Sequence, residues 1–113
     1  MDIDSDTAKK IQELQISEQN WQSFLMQKQA IQVELSEVSN ALSELKKSGD
    51  EVYKIVGGIM LKSDKAVLSK ELEEKKRIFD LRISTIEKQE KIFEEKAEKL
   101  RKDVSSALTR KNN

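Results

Sequence analysis

Gly57 and Gly58 stand in the middle of the 113-residue chain and constrain its fold more than any other pair of residues. On either side lie Val52-Tyr53-Lys54-Ile55-Val56 and Ile59-Met60-Leu61-Lys62, rich in the β-branched, aromatic and large apolar residues that suit a pleated strand. Two adjacent glycines between such runs signal a hairpin, because a type I′ turn needs positive φ at both central positions and glycine has no Cβ to oppose it. With the glycines as the turn, Val56 faces Ile59, Ile55 faces Met60, Lys54 faces Leu61 and Tyr53 faces Lys62. One face then carries Val52, Val56, Ile59 and Leu61; the other carries Tyr53, Ile55 and Met60. Neither face suits water. A lone two-stranded hairpin is marginal, and its open edges invite more strands. The pattern predicts a hairpin over residues 51–62 that other chains complete, using Val52, Tyr53, Ile55, Val56, Ile59, Met60 and Leu61.

The flanking arms read as helix, over about residues 6–47 and 64–110. Asp2, Asp4, Ser5 and Asp6 offer caps and negative charge at the first start; Ser63 or Asp64 does so at the second. Lys46 and Lys47 suit a helix C-terminus, and Gly49 is the expected left-handed stop. Positions alternating three and four apart hold Leu14, Ser17, Trp21, Phe24, Lys28, Ile31, Leu35, Val38, Leu42 and Leu45, eight of the ten apolar. The second arm repeats the spacing with Phe79, Ile83, Ile86, Glu90, Phe93, Ala97, Leu100, Val104 and Ala107, eight of the nine apolar. Such a stripe is the seam of a coiled coil. Folding the arms back about the hairpin matches Leu42 with Leu72, Leu35 with Phe79, Ile31 with Ile83, Trp21 with Phe93 and Leu14 with Leu100. Ser17 falls beside Ala97, Trp21 is assigned to the core, and the Glu90 carboxylate, beside Phe24, is expected to bend outward. Acid-before-base pairs four apart, among them Glu71–Lys75, Glu73–Arg77 and Glu98–Lys102, add a few tenths of a kcal/mol each. The expected fold class is mostly α: a long antiparallel two-helix coiled-coil hairpin with a central β-hairpin, a single domain over 1–113.

Composition excludes several functions. The 21 basic and 21 acidic residues balance and interleave, unlike the basic footprint of a nucleic-acid binder. With no cysteine and no histidine, thiolate chemistry, the usual zinc ligands and the commonest acid–base catalyst are missing, so neither an enzyme nor a cofactor or metal is expected. No run reaches membrane-spanning length. Met1-Asp2-Ile3-Asp4-Ser5-Asp6 is acidic where a secretory signal would be basic, so the chain reads as soluble and cytoplasmic.

The order long helix, strand pair around Val52-Tyr53-Lys54-Ile55-Val56-Gly57, long helix opening at Asp64-Lys65-Ala66-Val67 resembles the prefoldin β-subunit family in its archaeal form. Gln27-Lys28-Gln29, Val33-Glu34-Leu35 and Ile86-Glu87-Lys88-Gln89-Glu90-Lys91 carry the same resemblance, which covers nearly the whole chain. Its most specific element is the central Val-Tyr-Lys-x-Val-Gly segment; the short connection Lys62-Ser63-Asp64 is a departure. The resemblance implies a hexamer of two α and four β subunits whose hairpins close into β-barrels. It implies an ATP-independent chaperone whose coiled-coil tips bind unfolded polypeptides and pass them to a group II chaperonin. The lack of a G-x-x-x-x-G-K phosphate loop agrees with that.

On this reading the free helix ends are the client-binding tip. Ile3, Ile11, Ile16 and Leu108 lie outside the seam there, and Leu14, Val104 and Ala107 form the last layers. Thr7 beside Ala107 and Lys10 beside Val104 make thin layers that should splay and expose apolar surface. The rival reading is a structural or scaffolding coiled coil without client binding, which has no use for a hairpin apolar on both faces.

Overall fold

In the computed structural model, which describes residues 4–112 and side chains as far as Arg110, helix α1 spans Ser5–Lys47. Asp4 starts it: the Thr7 N–H donates to Asp4 Oδ1 at 2.7 Å and the Ala8 N–H to the Asp4 carbonyl at 3.0 Å. This is N-capping, which satisfies donors that the first turn leaves open. The stop differs from the expected one. Among the described residues only Gly57 and Gly58 have positive φ, so Gly49 is not a left-handed cap. Instead the Ser48 hydroxyl donates to the Leu45 carbonyl at 2.8 Å and the Ser48 N–H to the same oxygen at 3.3 Å. The Lys65 ammonium donates to the Ser48 carbonyl at 2.8 Å. Carbonyls at the helix end are thereby served by a hydroxyl and a cation, without a left-handed residue.

Strands β1 (Val52–Val56) and β2 (Ile59–Ser63) form a two-stranded antiparallel sheet. Val56 pairs with Ile59, Ile55 with Met60, Lys54 with Leu61, Tyr53 with Lys62 and Val52 with Ser63, the expected register extended by one pair. Gly57 and Gly58 turn the chain at φ of 56° and 80°. A Cβ at either would meet nothing within 4 Å, so the demand for glycine is purely conformational. Helix α2 spans Lys65–Asn112. Of the two candidate caps Asp64 serves: its Oδ1 accepts the Ala66 and Val67 N–H groups at 2.9 and 3.1 Å, while Ser63 ends β2. Strand passes to helix through one residue because that residue is already the cap.

The chain divides into two compact units. In Gln29–Ser84, Val38, Leu45 and Val52 are buried, and Ile31, Leu35, Leu42, Leu72, Phe79 and Ile83 are half-buried. The Lys54 ammonium, on β1, lies 3.7 Å from the Glu71 carboxylate on α2. In the other unit, Met1–Lys28 and Thr85–Asn113, the core is Ile86, Ala97 and Leu100, with Leu14, Phe24, Phe93 and Val104 half-buried. The two helices run antiparallel there, since Lys10 meets Asp103 at 3.7 Å, Glu18 meets Arg101 at 3.3 Å and Lys28 meets Glu90 at 3.0 Å. Phe24 and Phe93 stack at 5.3 Å between centroids, tilted by 53°, an arrangement aromatic pairs prefer. The apolar stripes are thus the inner faces of both helices.

Surface charge only partly follows the expected pairs. Glu98 and Lys102 meet at 3.8 Å, but Arg77 grips Glu74 rather than Glu73, and Glu71 turns to Lys54 rather than Lys75. Hydrogen bonds from Arg77 hold the Glu74 carboxyl below its ordinary pKa, yet so exposed a pair adds little to stability.

Candidate interaction surfaces

The hairpin presents the larger apolar surface. Ile55 is 71% and Met60 65% exposed on one face, joined there by Tyr53; Val56, Ile59 and Leu61 are exposed on the other. Strand alternation normally buries one face and solvates the other. Here both are apolar and both are open. Val52 is the exception, because it is buried in the chain's own fold and anchors the hairpin rather than extending the surface. Lys54, half-buried through its ion pair with Glu71, does the same for that face. A contiguous apolar patch on a two-stranded sheet marks an interaction site.

At the helix ends most of the expected residues are partly shielded from solvent. Ile11, Leu14, Val104, Ala107 and Leu108 are half-buried and Ile16 is exposed; Ile3 lies outside the described residues. Thr7, expected to leave a thin layer, is buried, and its backbone is fixed by Asp4. Lys10 and Asp103 bridge the two helices one layer further in. Arg101 and Lys102, further in, are also occupied within the chain, Arg101 by Glu18 and Lys102 by Glu98.

Two seam positions differ from expectation. The Glu90 carboxylate does not bend outward: its side chain is 13% exposed, and Oε1 lies 3.0 Å from the ammonium of Lys28, itself 20% exposed. That oxygen has no aligned hydrogen bond, so the contact is one of charge. Lys28 and Glu90 are the charged interruptions of the two stripes, and the missed signal was that they are opposite in sign and near one another in the fold-back register. Trp21, assigned to the core, is 40% exposed. It walls a cavity of about 180 Å³ together with Phe93, beside Ser17 and Ala97. A serine opposite an alanine leaves space that larger seam residues would fill. Among the described residues no cluster of His, Cys, Asp or Glu is arranged to hold a metal, and no helix is long and apolar enough to cross a membrane.

The family described as "Prefoldin subunit" matches residues 8–111. The chain is 39% identical to the prefoldin subunit beta of Thermococcus onnurineus over 93 residues, covering 80% of each. It is 39% identical to that of Sulfurisphaera tokodaii over 103 residues, 89% of this chain and 80% of the relative. The crystal structure of the prefoldin beta subunit from Thermococcus strain KS-1 superposes with a TM-score of 0.86 at 34% identity, covering 95% of this chain and 96% of that one. Helix, two-residue-turn hairpin, helix and the matched stripes agree with that likeness, and the chain belongs to the prefoldin subunit family, of β type.

Proposed function

We propose that this chain is a subunit of an ATP-independent holding chaperone of the cytoplasm. Four copies join two α subunits through their hairpins, which close into β-barrels, and the helix ends bind unfolded polypeptides for delivery to a group II chaperonin. The observation that carries this reading is the open hairpin: Tyr53, Ile55, Val56, Ile59, Met60 and Leu61 are all exposed on a sheet with two unpaired edges. Strand addition from sister hairpins covers both faces and removes the edges together.

Client binding is assigned to Ile3, Ile11, Leu14, Ile16, Val104, Ala107 and Leu108. The half-buried members of this set become available when the last turns separate, and apolar contact gains roughly 25 cal/mol per Å² without regard to client sequence. Each end offers a small surface, so the affinity of one is weak. Several ends acting on one client supply avidity through effective concentration.

The test is to mix the chain with a matching α subunit, with and without residues 1–16 and 104–113, and to measure complex mass and suppression of client aggregation. A hexamer in both cases, with suppression lost only in the truncated form, is expected. A full-length chain that stays monomeric beside its α subunit would overturn the assembly reading. Undiminished suppression by the truncated complex would overturn the tip assignment.

A further inference from the structure

The cavity beside Trp21 lies within the antiparallel helix pair rather than at its very end. From the cap of α1 at Asp4 to Ser17 is more than three helical turns. The cavity exists because the seam there is built from its smallest members. Ser17 and Ala97 are both buried, and between them and the aromatic layer of Phe24 and Phe93 no large side chain fills the gap. Trp21 has seam spacing but lies partly open, so its indole forms a wall rather than a plug. An apolar cavity of about 150 Å³ takes a benzene-sized guest. This one, at about 180 Å³, has room for one bulky side chain and is open to solvent on one side.

The rim carries charge of known balance. Arg101 is held by Glu18 at 3.3 Å, while Glu94, also on the rim, forms no ion pair among the described residues. The rim is therefore net negative, with one carboxylate uncommitted. An acidic rim over an aromatic slot favours an apolar side chain with a positively charged neighbour, since the neighbour meets Glu94 while the apolar group leaves water.

We propose that this cavity is a side-chain subsite. It receives a single large apolar residue, aromatic or leucine-sized, from an extended polypeptide segment, and selects segments in which that residue is flanked by lysine or arginine. This rests on the holding-chaperone reading above and adds to it a preference for particular client segments, held on the flank of the helix pair rather than at its end.

Trp21 is the sole tryptophan of the chain and lines the cavity, so its emission reports occupancy directly. The full-length chain is titrated with the peptide Ac-Gly-Lys-Phe-Lys-Gly-amide, which contains no tryptophan. A saturable change with a Kd on the order of 1 mM is expected, as for a single buried anchor. Replacing the peptide's phenylalanine by serine should abolish the change, and replacing its lysines by glutamate should weaken it. Ala97→Leu fills the cavity from α2 and Ser17→Ile fills it from α1; with helical content unchanged, either should weaken the peptide by about tenfold or more. No response in the unmodified chain, or an unchanged response in both filled variants, would overturn the proposal. Equal binding of the glutamate-flanked peptide would overturn its charge preference. An assembled complex that fails to suppress client aggregation counts against the holding-chaperone reading, while the peptide titration judges the subsite on its own.

Discussion

Lys28 and Glu90 show how much one pair can decide. Each stands in a stripe of apolar residues, and each would be costly to bury without the other. Together, 3.0 Å apart and mostly shielded, they tie one layer of α1 to one layer of α2. Burial of an ion pair seldom adds net stability, because desolvation offsets the attraction, but breaking one partner off leaves a stranded charge. Lys28→Met alone should therefore lower stability to urea by about 1–3 kcal/mol, the cost of an unpaired buried group. The double variant Lys28→Met with Glu90→Met should recover that loss or exceed the parent. What it should lose is register: a single buried polar layer specifies how helices align, and a seam without a charged pair slides more easily. Spin-label distances across the pair, one value in the parent and a spread in the double variant, would check this. A double variant with the loss of the single one would show that the pair stabilises the seam outright.

The elements owe their boundaries to local chemistry. Asp4 and Asp64 cap the two helices through their carboxylates, and Ser48 with Lys65 closes the end of α1. The hairpin depends on backbone shape. Gly57→Ala meets no neighbour, so its whole cost is that of holding an alanine at φ near 56°, about 1–2 kcal/mol. Gly57→Asn should cost clearly less, since asparagine tolerates the left-handed region. Urea or thermal unfolding followed by circular dichroism distinguishes them. Equal losses in the two variants would mean that something other than φ selects glycine here.

For the molecule as a whole, the decisive property is that its helices bury their apolar stripes within the chain whereas its sheet does not. Replacing Ile55 by glutamate and Met60 by lysine puts an opposite-charge pair on neighbouring strands, which a hairpin accepts, while removing the two most exposed apolar side chains of that face. The variant should keep its helical content yet fail to enter the proposed complex when mixed with a matching α subunit, as read by complex mass; a full-sized complex would shift the assembly surface elsewhere. Much of this organisation was legible in the residues. Three-and-four spacing, Gly57-Gly58 and the acid caps specify helix, turn and strand through short-range geometry, and register follows once the two-residue turn is set. The choice between caps, the serine-and-lysine closure that replaced a glycine stop, and the partner of Glu71 were not legible, because competing groups lie within reach in sequence and only packing selects among them. The same holds at the helix ends, where a layer that looked thin proved buried around Thr7. Local pattern thus determined the elements and their order, because backbone conformation and periodicity act between near neighbours. Only the tertiary structure decided that Lys28 meets Glu90 and that Trp21 stands beside a void, because those depend on which side chains arrive opposite one another and how completely they fill the space between.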